Sequence, residues 1–129
     1  MEGPKGKPRW AAAYLWLQAV AVAGWWIWLA LRPDARGLFF PPMAGRLVFG
    51  FAVPDFSVLV MGSLIGGFGL ARGRRRMAPL LAVLFGGCLY AALYTVAIVA
   101  MDPAAWLGCA AMALMTTGTG LVAFGREGR

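Results

Sequence analysis

The sequence predicts an all-α integral membrane protein, a single domain of residues 1–129 with four transmembrane helices in an antiparallel bundle. Three observations lead to this prediction. Hydrophobic residues make up 61% of the chain and charged residues 13%, against roughly 45–50% and 25% in an average soluble domain. The apolar residues are gathered in four runs, each close to the ~20 residues that cross a bilayer. The connections between these runs are too short to hold a soluble domain.

The four spans are predicted at 10–31, within 47–71, at 77–101 and at 104–124. The first follows a basic start and is longer than the apolar core of a signal peptide, so we expect a retained helix. Between the last two spans lies Asp102-Pro103. Because Asp favours the N-cap and Pro the first helical position, these residues predict a tight turn that starts the fourth helix.

The positions of Lys and Arg predict that both termini face the cytoplasm of a plasma membrane of the bacterial inner-membrane type. Cytoplasmic loops carry the excess of Lys and Arg. Nine basic residues fall on the side of the termini and the second loop, and three on the opposite side. The nine are Lys5, Lys7, Arg9, Arg72, Arg74, Arg75, Arg76, Arg126 and Arg129, and the three are Arg32, Arg36 and Arg46.

The run Arg72 to Arg76 allows two interpretations. It fixes the threading of the chain, or it also binds anionic lipid head groups on the cytoplasmic side. The net charge of +7 is spread around apolar segments and not over one soluble face, so we expect no nucleic-acid partner. Tryptophans at span ends predict interfacial belts, with Trp25, Trp26 and Trp28 near the outer end of the first span.

Asp55 is the only ionisable residue between Arg46 and Arg72. In one alternative the second span starts at Leu47 and Pro54 kinks it. In the other, 47–53 is an irregular or interfacial lead-in and the helix starts at Pro54, which places Asp55 in the first turn, where the helix dipole stabilises a carboxylate. In both alternatives Asp55 lies in the outer half of the membrane. A partner, water or protonation has to offset the free-energy cost of placing a carboxylate there.

Depth along the helices suggests what faces this carboxylate. Tyr94 is expected near the height of Asp55, with Tyr90 one turn below on the same face. One interpretation is that the two tyrosines fill a helix interface. The other is an outward-opening polar pocket formed by Asp55, Tyr90, Tyr94, Thr95 and Trp25. The loop sequence Gly37-Leu-Phe-Phe-Pro-Pro-Met43 leads towards this region and suggests a segment that lies on the outer membrane surface.

Small and weakly polar residues predict helix packing. Gly62, Gly66, Gly86 and Gly87 are expected to allow close approach between helices, within the bundle or in self-association. Gln18 is expected to make an interhelical hydrogen bond. The two cysteines, at 88 and 109, do not form a CxxC pair and are interpreted as packing residues.

The residues exclude several activities and leave three classes of function open. The chain has no histidine, which removes the usual haem ligand and the commonest general base. We expect no cofactor or metal. The leading hypothesis is a non-catalytic binding or accessory subunit that associates with lipid, with itself or with another membrane protein. The alternatives are a proton- or cation-coupled carrier that uses Asp55 with the two tyrosines, and an enzyme acting on a lipid-like substrate, which ranks last.

Overall fold

The computed structural model describes residues 9–125, apart from the side chain of Arg75. The basic residues Lys5, Lys7, Arg126 and Arg129 therefore lie outside the described part of the chain. Every regular element within the described residues is helical. Four helices are long and apolar enough to cross a membrane, which supports a multi-pass membrane protein. They are α1 (Arg9–Leu31), α2 (Pro42–Ala71), α3 (Ala78–Met101) and α4 (Pro103–Phe124).

The start of α4 agrees with the sequence. Asp102 Oδ1 accepts a hydrogen bond of 3.1 Å from the backbone N–H of Ala104, so this aspartate is the N-cap of the first turn. The turn Pro103–Ala105 is a 3-10 turn, and the α-helix continues from Trp106. Proline fits this first position because its missing N–H has no partner there in any helix.

Helix α2 is continuous through Pro54, and so agrees with the first alternative. The segment before the proline is a 3-10 helix, Pro42–Phe51, with a break at Gly45, whose φ of 49° suits glycine. Pro54 itself has helical angles (φ −64°, ψ −35°). The ring of Pro54 crowds the carbonyl group one turn earlier, and the proline has no backbone N–H to donate. After it the backbone widens into a π-helical stretch, Asp55–Val60. Asp55 is therefore not in the first turn of a helix, and the dipole argument does not apply to it.

Helix α1 packs along α2, and α3 packs along α4. The two pairs meet where α2 contacts α3, whereas α1 touches α4 over a short length only. Two of the glycines allow the close contacts. A Cβ atom on Gly62 would lie 2.7 Å from Leu84 Cδ2 on α3, and one on Gly66 would lie 3.1 Å from Leu15 Cδ1 on α1.

The two glycines of α3 differ from each other. A Cβ atom on Gly87 would lie 3.1 Å from Val58 Cγ1 on α2, so this glycine also serves the packing between helices. Gly86 faces open space, with no atom within 4 Å of the position of a Cβ. Within the described chain, therefore, Gly86 does not bring two helices together.

A buried polar cluster joins all four helices. Gln18 Nε2 on α1 donates to Ser63 Oγ on α2 (3.0 Å), and Thr119 Oγ1 on α4 donates to Gln18 Oε1 (2.8 Å). Cys88 Sγ on α3 lies 3.5 Å from Thr119 Oγ1. All four side chains are buried. Because polar groups need partners in an apolar medium, this cluster fixes the register of the helices.

Candidate functional site: a cavity between the helices

A cavity of about 670 Å³ lies between the four helices, with walls from each of them and from the loop after α1. Its size is within the range of about 300–1,000 Å³ that is typical of small-molecule sites. On α1 the walls extend from Tyr14 to Trp26. At 1.5 Å per residue, this is a length of about 18 Å along the helix.

The cavity opens sideways. Leu17, Tyr90 and Leu114 line it and are 67%, 74% and 77% exposed, whereas Trp26 and Ile98, also in its wall, are each 3% exposed. The three exposed residues lie near the middle of α1, α3 and α4. In a protein that crosses the membrane through these helices, an opening at mid-helix faces acyl chains and not water.

One end of the cavity is aromatic, and we call it the aromatic end. Trp25 is its centre: the ring centroid lies 4.8 Å from that of Trp26, 5.2 Å from that of Phe39 and 6.2 Å from that of Phe40. The residues of the aromatic end are Trp25, Trp26, Phe39, Phe40, Phe51 and Tyr94.

The loop residues Phe39 and Phe40 cover this end from outside. Both are buried, and Phe40 stacks on Phe51 with a centroid distance of 6.2 Å. The rings of both phenylalanines therefore pack inward, against Trp25 and Phe51. The loop begins with a 3-10 helix, Pro33–Leu38, which directs the chain back over the helix ends.

Asp55 projects into the aromatic end and is held there by a tryptophan. Trp26 Nε1 donates a hydrogen bond of 2.9 Å to Asp55 Oδ2. Trp26 is buried, so its assignment to an interfacial belt is wrong. Sequence reasoning missed it as the partner of Asp55. No signal in the sequence identified it, because the buried stripe of α1 to which it belongs is as apolar as the rest of the helix. The residues of this stripe are Leu15, Ala19, Val22, Trp26 and Leu29.

The five residues of the expected polar pocket all line this one cavity. Their mutual contacts differ from the expectation. The ring of Tyr94 packs on Phe51 at 4.9 Å, and Thr95 Oγ1 donates to the carbonyl oxygen of Ala92 at 2.8 Å. Tyr90 is at the exposed rim. Among the described residues the hydrogen-bond partner of Asp55 is Trp26, and neither tyrosine donates to it.

The unused hydrogen-bonding groups are concentrated at the aromatic end. Trp25 Nε1 is buried and has no acceptor within the described chain, and Asp55 Oδ1 has no donor there. At the other end the polar groups are occupied. Tyr14 donates to the carbonyl oxygen of Met115 at 3.0 Å, and Gln18 belongs to the buried polar cluster. A ligand would therefore find polar partners at one end and an apolar wall along the rest.

No described cation neutralises Asp55. In the loop after α1, Arg36 donates through Nε to the carbonyl oxygen of Leu29 (3.0 Å), and its guanidinium lies 4.8 Å from the ring centroid of Phe49. Arg32 forms an exposed ion pair with Asp34 at 2.9 Å, which lowers the pKa of Asp34 from its usual value. The carboxylate in the cavity thus differs from the one in the loop, because only the loop carboxylate has its countercharge.

The arginine run of the second loop is separate from the cavity. Arg72, Arg74 and Arg76 are exposed, and the guanidinium of Arg72 lies 5.8 Å from the ring centroid of Phe68. The side chain of Arg75 is outside the described part of the structure. The run follows α2 at the end opposite the Pro42 end, and therefore on the other side of the protein from the aromatic end.

No protein-family model, curated protein or solved structure matches the chain. Within the described residues, no three His, Cys, Asp or Glu side chains are grouped in a way that could hold a metal ion.

Proposed function

We propose that this small multi-pass membrane protein is a non-catalytic binding subunit that holds a lipid-soluble small molecule between its helices. The observation that supports the proposal is the cavity of about 670 Å³, which opens at mid-helix and carries a carboxylate at one end. A site with apolar walls and few polar groups is typical of small-molecule binding.

The shape of the cavity favours an amphiphile over a water-soluble ligand. The opening is bordered by Leu17, Tyr90 and Leu114, so a molecule would enter from the hydrocarbon layer. The unpaired groups, Asp55 Oδ1 and Trp25 Nε1, are at the far, aromatic end. An apolar body would remain along the open side, and a polar group would lie next to Asp55.

A carrier is the second candidate, and the unneutralised Asp55 is the observation that favours it. An ionisable group inside a membrane protein commonly marks an ion or proton pathway. Against it, the buried polar cluster around Gln18 closes the other end of the cavity with groups that already have partners. If the protein is a carrier, a proton or cation gradient should drive accumulation of the ligand inside liposomes. If it is a binding subunit, the ligand should reach the same concentration inside and outside.

We expect a bulky residue inside the cavity to displace the ligand. Ala111 lines the cavity and its neighbour Ala110 does not, although both residues are exposed. Protein extracted gently from membranes should carry a co-purifying small molecule, visible by native mass spectrometry in the wild type and in Ala110→Trp. Ala111→Trp should lose most of it, because an indole occupies the same space. Equal adducts in both variants, or none in the wild type, would contradict the proposal.

The same spectra address the other partners that we propose. Anionic lipids held by the second-loop arginines lie outside the cavity, so their adducts should survive in Ala111→Trp and decrease when Arg72, Arg74 and Arg76 are replaced by Gln. Association with a second copy or with another membrane protein would appear as a higher mass. Gly86, which faces open space, would be the place on α3 for such a contact.

We further propose an antiparallel bundle in a plasma membrane with both termini in the cytoplasm, supported by the nine-to-three distribution of basic residues. Met43 in the first turn of α2 is 89% exposed, and Arg74 in the second loop is also exposed. A membrane-impermeant maleimide should label Met43→Cys in intact cells and Arg74→Cys only after lysis. The reverse pattern would mean the opposite orientation. The native cysteines serve as the background, since Cys88 is buried and Cys109 lies within α4.

A further inference from the structure

We infer that the cavity selects amphiphiles with a cationic ammonium head, which binds between Asp55 and the rings of the aromatic end. The inference rests on the proposed function and adds the class of ligand to it. The three steps that carry it are the missing countercharge of Asp55, the arrangement of the rings, and the single polar end of the cavity.

The first step concerns charge. Asp55 Oδ2 accepts from Trp26, and Oδ1 is left without a donor among the described residues. One neutral N–H does not neutralise a carboxylate that is half-buried in an apolar wall. Arg32 pairs with Asp34, and Arg36 donates to backbone carbonyls of α1. Arg46 is exposed and forms no ion pair with Asp55 within the described chain. An ammonium group would supply the absent charge and, when it carries N–H, a donor for Oδ1.

The second step concerns the rings. Aromatic faces attract ammonium cations, and sites for quaternary ammonium ligands are commonly lined by several rings. Trp25, Phe40 and Phe51 form a connected series here, with centroids of neighbouring rings about 6.2 Å apart in each case, and all three line the cavity next to Asp55. An anionic head would meet the same rings and the carboxylate unfavourably, so the aromatic end discriminates by sign of charge.

The third step concerns orientation. Towards Tyr14 the buried polar groups of the wall already have partners, because Tyr14 donates to Met115 and Gln18 is bonded to Ser63 and Thr119. The hydroxyl of Tyr90 is at the exposed rim of the opening. The alkyl part of an amphiphile would lie against this wall and reach the opening beside Leu17 and Leu114. The head group is therefore directed to the aromatic end by exclusion as well as by attraction.

The test compares two probes with the same chain, dodecyltrimethylammonium and dodecanol, titrated into the full-length protein in maltoside detergent by calorimetry. We expect the wild type to bind the cation about tenfold or more tightly than the alcohol. One ion pair together with cation–π contacts in a desolvated site can account for a difference of this size. Asp55→Asn should reduce this preference to about twofold or less, while leaving the affinity for dodecanol unchanged. Asparagine keeps an oxygen that accepts from Trp26 Nε1, so the local structure should remain.

Asp34→Asn is the matched control, since it removes the same charge from the exposed loop and should keep the full preference for the cation. Equal affinities for both probes in the wild type would overturn the cation selectivity and leave the proposed binding function standing. A preference that persists in Asp55→Asn would also overturn the inference. Binding of neither probe to the wild type would overturn the inference and the proposed function together. If Asp55→Asn does not fold, the wild-type comparison of the two probes still decides.

Discussion

Gly62→Leu should unfold at a markedly lower concentration of SDS than the wild type, with a loss of at least about 2 kcal/mol in the free energy of unfolding. The reason is steric. Even a Cβ atom at residue 62 would lie 2.7 Å from Leu84 Cδ2, and Leu84 is itself fully buried. A leucine would therefore separate α2 from α3, the contact that joins the two helix pairs.

Gly86→Leu is the matched control, because the substitution is the same and the space around this glycine is open. It should leave the unfolding midpoint unchanged or raise it slightly, since glycine within a helix costs roughly 0.5–1 kcal/mol relative to alanine. Similar losses in both variants would show that steric exclusion at Gly62 is not the cause. If only Gly86→Leu lost stability to unfolding by SDS, this result would indicate that α3 packs against another chain through the face that carries Gly86.

The sequence predicted four long apolar helices because hydropathy and length alone decide their number. It did not predict that the second helix begins at Pro42. The N-cap at Asp102 was predictable for a related reason, since it depends on two adjacent residues and a local hydrogen bond. Gln18 as an interhelical partner followed from its being polar inside an apolar helix. The partners of Gln18 could not be predicted, because identifying Ser63 and Thr119 requires knowledge of the relative rotation of three helices.

All five residues of the expected pocket line one cavity, whereas the contacts between them could not be predicted. In α1 nearly every residue is apolar, on the lipid side as well as on the inner side, so no contrast reveals which face is buried. That is why Trp26 was assigned to an interfacial belt although it lies on the buried stripe. Tyr94 and Asp55, which depth along the helices places at a similar height, both line the cavity. Depth carries no information about rotation around the helix axis.

Pro54 shows a second limit of local reasoning. Proline at a helix start and proline within a helix have the same φ, so the residue alone does not distinguish them. The preceding segment, with Gly45 and Gly50, looks irregular in sequence, yet it continues into α2 as a 3-10 helix. Asp55 is the first residue of the π-helical stretch that follows, and its carboxylate accepts the hydrogen bond from Trp26.

The hydrogen bond between Trp26 and Asp55 should be the strongest single polar contact of the site. Trp26→Phe removes the donor and leaves a carboxylate without a partner in an apolar wall, so we expect a loss of about 1.5–3 kcal/mol in the free energy of unfolding. Trp25→Phe makes the same change one residue earlier, where the indole N–H has no acceptor within the described chain. It should cost less than about 1 kcal/mol, because an unsatisfied donor is removed together with some packing area.

Double-mutant cycles separate the hydrogen bond from the change in ring size. In a background of Asp55→Leu, which has no acceptor, Trp26→Phe should lose most of its effect, giving a coupling energy of about 1–2 kcal/mol. The coupling between Trp25→Phe and Asp55→Leu should be within about 0.5 kcal/mol of zero. Equal coupling for both tryptophans would mean that Asp55 interacts with the aromatic end as a whole. The absence of coupling with Trp26 would mean that the tryptophan stabilises α1 and α2 by packing alone, and that something other than Trp26 holds the carboxylate in the cavity.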